Sequence, residues 1–117
     1  MYQMKPEKDL VSVIMSNYNT PEEYLRASIE SILNQTYQNF EFIIVDDCST
    51  DNSLSIIESY TDDRIKIIRN SQNLGITKSL NRALAVARGE FVARMDADDI
   101  AYPERFATQA AFLDAHI

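Results

Sequence analysis

Cysteine occurs once in the 117 residues, at Cys48, which excludes an internal disulfide and a cysteine-built zinc site and fits a reducing compartment. Basic residues are in deficit: 11 lysines and arginines stand against 18 acids, for a net charge of −7. Non-specific nucleic-acid binding relies on basic surface, so no nucleic-acid partner is expected. The same negative field repels an anionic small ligand unless a local positive element, such as a metal ion, is present. No apolar run approaches the length of a membrane span, and residues 1–9 lack the apolar stretch of a secretion signal, so a cytoplasmic protein is expected. There is no internal repeat, no low-complexity tract and no Pro/Gly-rich linker. What is there, 45% hydrophobic and 25% charged, reads as one soluble globular domain.

Short β-rich runs alternate with stretches of helical period. Leu10–Met15 reads as a first strand, after a tail over 1–9. Pro21 suits the first turn of a helix, with Thr20 as N-cap, Glu22 and Glu23 favourable to the dipole, and Leu25, Ile29, Ile32 and Leu33 on one face. Phe40–Val45 is nearly all apolar and reads as a strand covered on both sides. The Cys48–Asp51 loop enters a helix with Leu54, Ile56 and Ile57 inward, and Arg64–Ile68 is a third strand. After a polar loop over Asn70–Gly75, a third helix places Leu80, Leu84 and Ala87 on one stripe, with Gly89 capping its end. Glu90–Met95 is a fourth strand, and Pro103 opens a last helix carrying Phe106, Ala110 and Leu113. Strand–helix four times over predicts an α/β fold with a parallel, doubly wound sheet, whose ligands bind outside the carboxyl ends of the strands.

Two acidic clusters fall at that edge: Asp46-Asp47 and Asp96-Ala97-Asp98-Asp99. A carboxylate ending a buried strand is a costly placement unless it holds a cation or a ligand. The alternation of Asp96 and Asp98 puts both on one side of an extended backbone, suited to a hard divalent ion shared with phosphate oxygens. Asp99 serves equally as a helix cap or a solvated acid. One of Asp46 and Asp47 can cap the second helix, or accept a hydrogen bond from a base N–H or a ribose hydroxyl. Ser16-Asn17-Tyr18-Asn19 follows the first strand to the same edge, with Tyr18 either a core aromatic or a stacking platform for a nucleobase. Lys78, early in the third helix, is a solvated lysine or a phosphate or base contact. His116 is assigned no role, and Cys48 reads as a small loop residue because no adjacent base is visible.

Read together, Val11–Asn19, Ser31–Tyr37, Val45–Asp51, Asn73-Leu74-Gly75 and Met95–Asp99 resemble the nucleotide-binding half of family 2 glycosyltransferases, which have the GT-A (Rossmann-like) fold. The likeness runs from Leu10 to Phe112. It implies inverting transfer of a sugar from a nucleoside diphosphate sugar, by family habit a UDP-sugar, to a saccharide or lipid-linked acceptor in surface polysaccharide synthesis. Carried over by position, Tyr18 stacks on the base with Ser16 near it, Asp47 hydrogen-bonds the base, and Asp96 contacts the ribose or donor sugar. Asp98 ligates a Mg2+ or Mn2+ bridging the two phosphates. Many members carry an arginine early in the third helix; here Leu80 stands near that place and Lys78 is the substitute.

The resemblance also implies a truncated sheet in the order 3-2-1-4. The general base of an inverting transfer, an acid in the family's downstream half, is expected beyond Ile117. The chain is accordingly expected to be an N-terminal fragment, able to bind donor but not to transfer sugar, with the full-length protein peripheral to the membrane. Its open edge beside the fourth strand is expected to promote self-association. Three other readings compete. A phospho-receiver domain carries its acidic pair after the first strand, whereas a whole strand–helix unit precedes it here. A nucleotidyltransferase carries a glycine-rich basic loop after the first strand, which Asn17-Tyr18-Asn19-Thr20 is not. A non-catalytic nucleotide-sugar-binding module fits the same residues.

Overall fold

The protein is described here over residues 6–109 of a computed structural model. Seven elements follow one another: β1 (Glu7–Asn17), α1 (Glu22–Leu33), β2 (Phe40–Asp46), α2 (Ser53–Glu58), β3 (Ile65–Arg69), α3 (Ile76–Val86) and β4 (Gly89–Arg94). All strand pairs are parallel and the order is β3-β2-β1-β4, as expected. A receiver-type sheet runs 2-1-3-4-5, so the position of β4 beside β1 removes that rival.

Side-chain alternation sorts the strands onto two cores. Val11, Val13 and Met15 of β1 and Phe40, Phe42 and Ile44 of β2 face α1 and α2, where Leu25, Ile29, Ile32, Ile56 and Ile57 meet them. Ile14, Ile43 and Val45 face the other way, onto Leu80 and Ala83 of α3. A sheet covered on both faces explains the unbroken apolar run of β2, every residue of which is buried.

Several local expectations are corrected. Of the residues read as a tail, 7–9 begin β1: the Glu7 N–H donates to the Arg88 carbonyl at 2.8 Å and Glu7 pairs with Gly89, with an irregularity before Val11. Thr20 is not the cap of α1; Pro21 takes that position with extended ψ, and its carbonyl accepts from the N–H groups of Tyr24 and Leu25. Leu54 is only half-buried, and Leu33 lies at the edge of the core. Leu84 is 45% exposed, because α3 approaches the sheet through its small residues Ser79 and Ala83 with Leu80 and turns Leu84 outward. Phe106 is buried, edge-on to Phe40 at 6.0 Å; Ala110, Leu113 and His116 lie outside the described residues.

Gly89 does not cap α3; Ala87 ends that helix with an extended backbone, and Gly89 opens β4. A Cβ at Gly89 would stand 2.6 Å from both the Leu10 carbonyl oxygen and Ser12 Oγ, so only glycine lets β4 lie this close to β1. The Gly89 N–H donates to Ser12 Oγ at 2.8 Å, and the Ser12 hydroxyl donates onward to the buried Glu41 carboxylate. Glu41 also accepts from Lys66 Nζ at 2.8 Å and from the Arg88 N–H at 2.7 Å. One carboxylate thus joins β1, β2, β3 and the start of β4.

Burial alone would push the Glu41 carboxyl up; the Arg88 N–H, the Lys66 ammonium and the Ser12 hydroxyl outweigh it and hold it down at about 2. The folded value lies below the ordinary 4.5, so the charge stabilises the fold above about pH 4.5 and that contribution is lost as pH falls toward 2. The gap corresponds to about 3 kcal/mol. Urea unfolding of wild type and Glu41→Gln across pH 2–7 should therefore show the wild-type advantage shrinking by about that amount between pH 6 and pH 2. A constant difference over this window would show that Glu41 is not held in its charged form.

Candidate functional site

β1, β2 and β4 end at the same rim, and the chain reverses direction across the sheet between β1 and β4. Two short polar networks shape the rim. After β1, Asn19 stands in the left-handed region (φ 51°); its Oδ1 accepts from the Thr50 N–H at 2.8 Å and the Asp51 N–H at 3.2 Å, and its N–H donates to Ser49 Oγ at 3.1 Å. The loops following β1 and β2 are thereby laced together, which brings Tyr18 beside the end of β2.

The adjacent acids Asp46 and Asp47 have different tasks because alternation sends them to opposite faces of the sheet. Asp46 accepts from Asn17 Nδ2 at 2.9 Å, Ser49 Oγ at 2.7 Å and the Ser49 N–H at 3.1 Å. Buried, it holds the turn through Cys48, which has a φ of 61°. The start of α2 is served by Asp51, whose Oδ1 accepts from the Ser53 N–H at 2.9 Å, so neither Asp46 nor Asp47 caps that helix.

Asp47 faces α3. Its Oδ1 accepts from Asn70 Nδ2 at 2.8 Å and the Leu74 N–H at 2.7 Å, and its Oδ2 accepts from the Gly75 N–H at 2.9 Å. Burial works to raise this carboxyl, but the donors from Leu74, Asn70, Gly75 and Ser79 prevail and keep it below the usual carboxylate range. Gly75 holds φ 91° and ψ 164°, a conformation open essentially to glycine alone, at the entry to α3, where its own N–H and that of Leu74 point at Asp47.

After β4, buried Met95 and Ala97 alternate with half-buried Asp96 and exposed Asp98. The extended backbone expected under this pair is not found: β4 ends at Arg94, and residues 97 and 98 form a turn closed by the Asp99 N–H donating to the Asp96 carbonyl at 3.1 Å. Ser28 Oγ donates to the Asp96 carbonyl at 3.2 Å, and Ser31 Oγ accepts from the Ala101 N–H at 3.0 Å. Gln35, fully buried, donates to the Tyr102 carbonyl at 2.7 Å and accepts from the Phe106 N–H at 3.1 Å. The end of α1 thus pins the acidic segment in place. Arg94 Nη2 lies 3.3 Å from Asp96 Oδ1, a solvent-exposed pair of little weight for stability. Asp98 makes no hydrogen bond or ion pair among the described residues.

These segments enclose an open cleft of about 760 Å³. Ser16, Tyr18, Asp47, Asp96 and Asp98, five of the six expected site residues, line it together. Tyr18 is 49% exposed, which disposes of the core-aromatic reading. Lys78 is exposed and is not among the lining residues: Ile76 lines the cleft, and a residue two positions on leaves the helix from the opposite side. Tyr24, Asn73, Ile76 and Arg94, given no role from the sequence, are also in the lining. Asn73 carried a signal, as part of the Asn73-Leu74-Gly75 motif, and so did Arg94, two residues before Asp96 at the end of β4. Among the described residues no group of three or more acidic, histidine or cysteine side chains is placed to cage a metal ion, and no helix is long and apolar enough to cross a membrane.

A parallel sheet ordered 3-2-1-4, with helices on both faces and an acid-lined cleft where the chain crosses over, is the architecture of the GT-A glycosyltransferases. The structure of S. aureus TarS residues 1–349 in complex with UDP-GlcNAc superposes with a TM-score of 0.84 at 38% identity, over 97% of this chain and 32% of that one. The mannosyltransferase PcManGT of Pyrobaculum calidifontis, in complex with GDP-Man and Mn2+, gives 0.74 at 30% identity, over 87% of this chain and 31% of that one. The chain belongs to glycosyl transferase family 2, whose model matches residues 12–116. An uncharacterized glycosyltransferase of Methanocaldococcus jannaschii is 48% identical over 111 residues, covering 92% of this chain and 38% of that protein. The Escherichia coli UDP-Glc:alpha-D-GlcNAc-diphosphoundecaprenol beta-1,3-glucosyltransferase WfaP is 39% identical over 106 residues, covering 91% and 42%. The chain therefore spans less than half the length of these relatives.

The conformation of Gly75 is open to direct test. No atom lies within 4 Å of a Cβ built there, so the cost of Gly75→Ala comes from the backbone alone, of order 1–3 kcal/mol. Denaturant unfolding should show that loss, and a variant as stable as wild type would mean that the loop holds no such constraint.

Proposed function

We propose that the chain is the donor-binding half of an inverting glycosyltransferase that uses a nucleoside diphosphate sugar, by preference a UDP-sugar. The supporting observation is the convergence of Tyr18, Asp47, Asp96 and Asp98, from three strand ends, on one cleft. Half-exposed Tyr18 offers a face for a base to stack on, as the expected role requires. Asp47 would accept a base N–H, and Asp96, with Ser16 nearby on β1, would contact the ribose or the donor sugar. Lys78, standing outside the lining, is left a role only toward a part of the ligand that projects from the cleft.

The acids at the end of β4 fit a hard divalent ion. Asp98 is exposed and uncommitted, and one or two carboxylates with phosphate oxygens and water are the ordinary surroundings of Mg2+ or Mn2+. When bound, such an ion supplies Lewis-acid stabilisation of the negative charge that grows on the leaving diphosphate. PcManGT, similar in fold, is solved with Mn2+, which favours the same requirement here. The acceptor, a saccharide or a lipid-linked sugar, and the general base that deprotonates it belong to the whole protein. The relation to WfaP, which acts on a polyprenol-linked sugar, supports a place in surface polysaccharide synthesis at the cytoplasmic face of the membrane.

Calorimetric titration with UDP, GDP and dTDP, with and without Mn2+, tests the reading. Binding to wild type should require the ion, and Asp98→Ala should weaken it at least about tenfold, while Tyr18→Ala should cost about 1–3 kcal/mol from lost stacking. Equal, ion-independent binding by wild type and Asp98→Ala would remove the assignment.

The free edge of β4, which pairs only with β1 among the described residues, supports self-association of the chain by strand pairing. Light scattering should report a mass that rises with concentration; a strictly monomeric profile in the millimolar range would refute it.

A further inference from the structure

Among the described residues β4 pairs only with β1, so one side of its backbone is open. The Met95 N–H donates to the Ile14 carbonyl at 3.0 Å, on the β1 side. Successive residues of a strand turn their polar groups to alternate sides, so Val92 and Arg94 present theirs to the open side. The Arg94 carbonyl is taken by Arg105 Nη2 at 3.2 Å, which leaves the Arg94 N–H and both groups of Val92 for a further strand.

The side chains alternate as well. Phe91 and Ala93 join the core that faces α1 and α2, and Glu90, Val92 and Arg94 are exposed on the opposite face. Val92 is 49% exposed at the centre of this edge, where a guarded strand would carry a charge. An acid stands two places before it and an arginine two places after. That pattern is its own complement under a two-fold axis.

We infer that the partner at this edge is a second copy of the chain, joined through β4 in antiparallel register with Val92 opposite the partner's Val92. Each Glu90 then faces the partner's Arg94, giving two equivalent cross-strand ion pairs around a central valine pair. The outward backbone groups of Val92 meet their own counterparts. Charge excludes the neighbouring registers. A shift by two residues sets Arg88 against the partner's Arg94 in one direction, and Glu90 against the partner's Asp96 in the other. An odd shift opposes outward backbone groups with inward ones. Two chains of −7 repel each other, and the paired charges offset that repulsion where the copies touch. Arg94 also lines the cleft and is paired with Asp96. The partner's Glu90 competes with Asp96 for it, so the contact reaches the margin of each cleft. The inference rests on the self-association proposed above and deepens it by fixing partner, direction and register.

Sedimentation equilibrium of the 117-residue chain and of charge-reversed variants tests it. Wild type should stop at a dimer, because an isologous contact closes on itself. Glu90→Arg and Arg94→Glu should each weaken the dimer at least about tenfold, by setting like charges opposite one another at two symmetric positions. The variant carrying both substitutions should recover the wild-type constant to within about threefold. An equimolar mixture of the two single variants should form a heterodimer, which misfolded chains could not do. Single variants that dimerise as tightly as wild type would overturn this register and leave self-association standing. A double variant as weak as the single ones, or growth into larger species, would do the same. A strictly monomeric wild type would refute both, and would mean that another segment of the chain covers the edge.

Discussion

The buried carboxylate of Glu41 is the constraint on which the sheet depends. A charge placed inside a β-sheet is destabilising unless every lone pair is matched, and here the donors come from all around it: Ser12 on β1, Lys66 on β3 and the Arg88 N–H at the entry to β4. Strands that share one acceptor cannot slide independently, because a slip by one residue would turn Glu41 to the opposite face and strand it there. Register at the amino edge fixes where each strand ends, and the strand ends are the walls of the cleft. The interaction lies at the far end of β2 from the site and still sets its geometry.

The two ends of β2 carry buried acids that solve the same electrostatic problem differently. Glu41 is closed off by side chains and backbone from its neighbours in the sheet. Asp47 is neutralised by the Leu74 and Gly75 N–H groups just before α3 together with the Asn70 amide, an arrangement that holds a charge without a competing cation in the cleft. Asp46, between them in sequence with Asp47, is consumed by the β2–α2 turn. Two adjacent aspartates, divided by the pleat of one strand, thus serve folding on one face and the site on the other.

Much of this was legible in the sequence. Apolar runs ending in acids located the strands and the functional rim, because burial on both faces and ligand binding at a strand end leave local marks. What stayed hidden was whatever depended on partners distant in sequence. Glu41 looked like a lapse in an apolar run, since its donors lie 25 to 47 residues away. Gln35 sat within a recognisable motif, yet its task of anchoring the segment past the acidic motif depends on residues 67 and 71 positions downstream. The Leu84 stripe failed because periodicity finds an apolar face but not which neighbour lies close: α3 presses on the sheet through Ser79 and Ala83, where small side chains permit approach. Lys78 was placed by analogy with an arginine that this chain does not have, and helix phase carries it away from the cleft. For Tyr24 and Ile76 the sequence held no mark at all, because each joins the lining only once three loops have met.

The charge balance of the cleft gives the proposed site its logic. Its lining holds three carboxylates, Asp47, Asp96 and Asp98, against the single cation Arg94, which is paired to Asp96. The chain as a whole carries −7. A diphosphate brought unaccompanied into that field meets net repulsion from both the local acids and the whole molecule. A dication reverses the sign where it matters, and the end of β4 is where the chain offers it an uncommitted ligand, since Asp47 is occupied by α3 and Asp96 is shared with Arg94. In the proposed reading the base and the phosphates would be met by acids in opposite conditions: Asp47 buried and held by hydrogen bonds, Asp98 exposed and uncommitted.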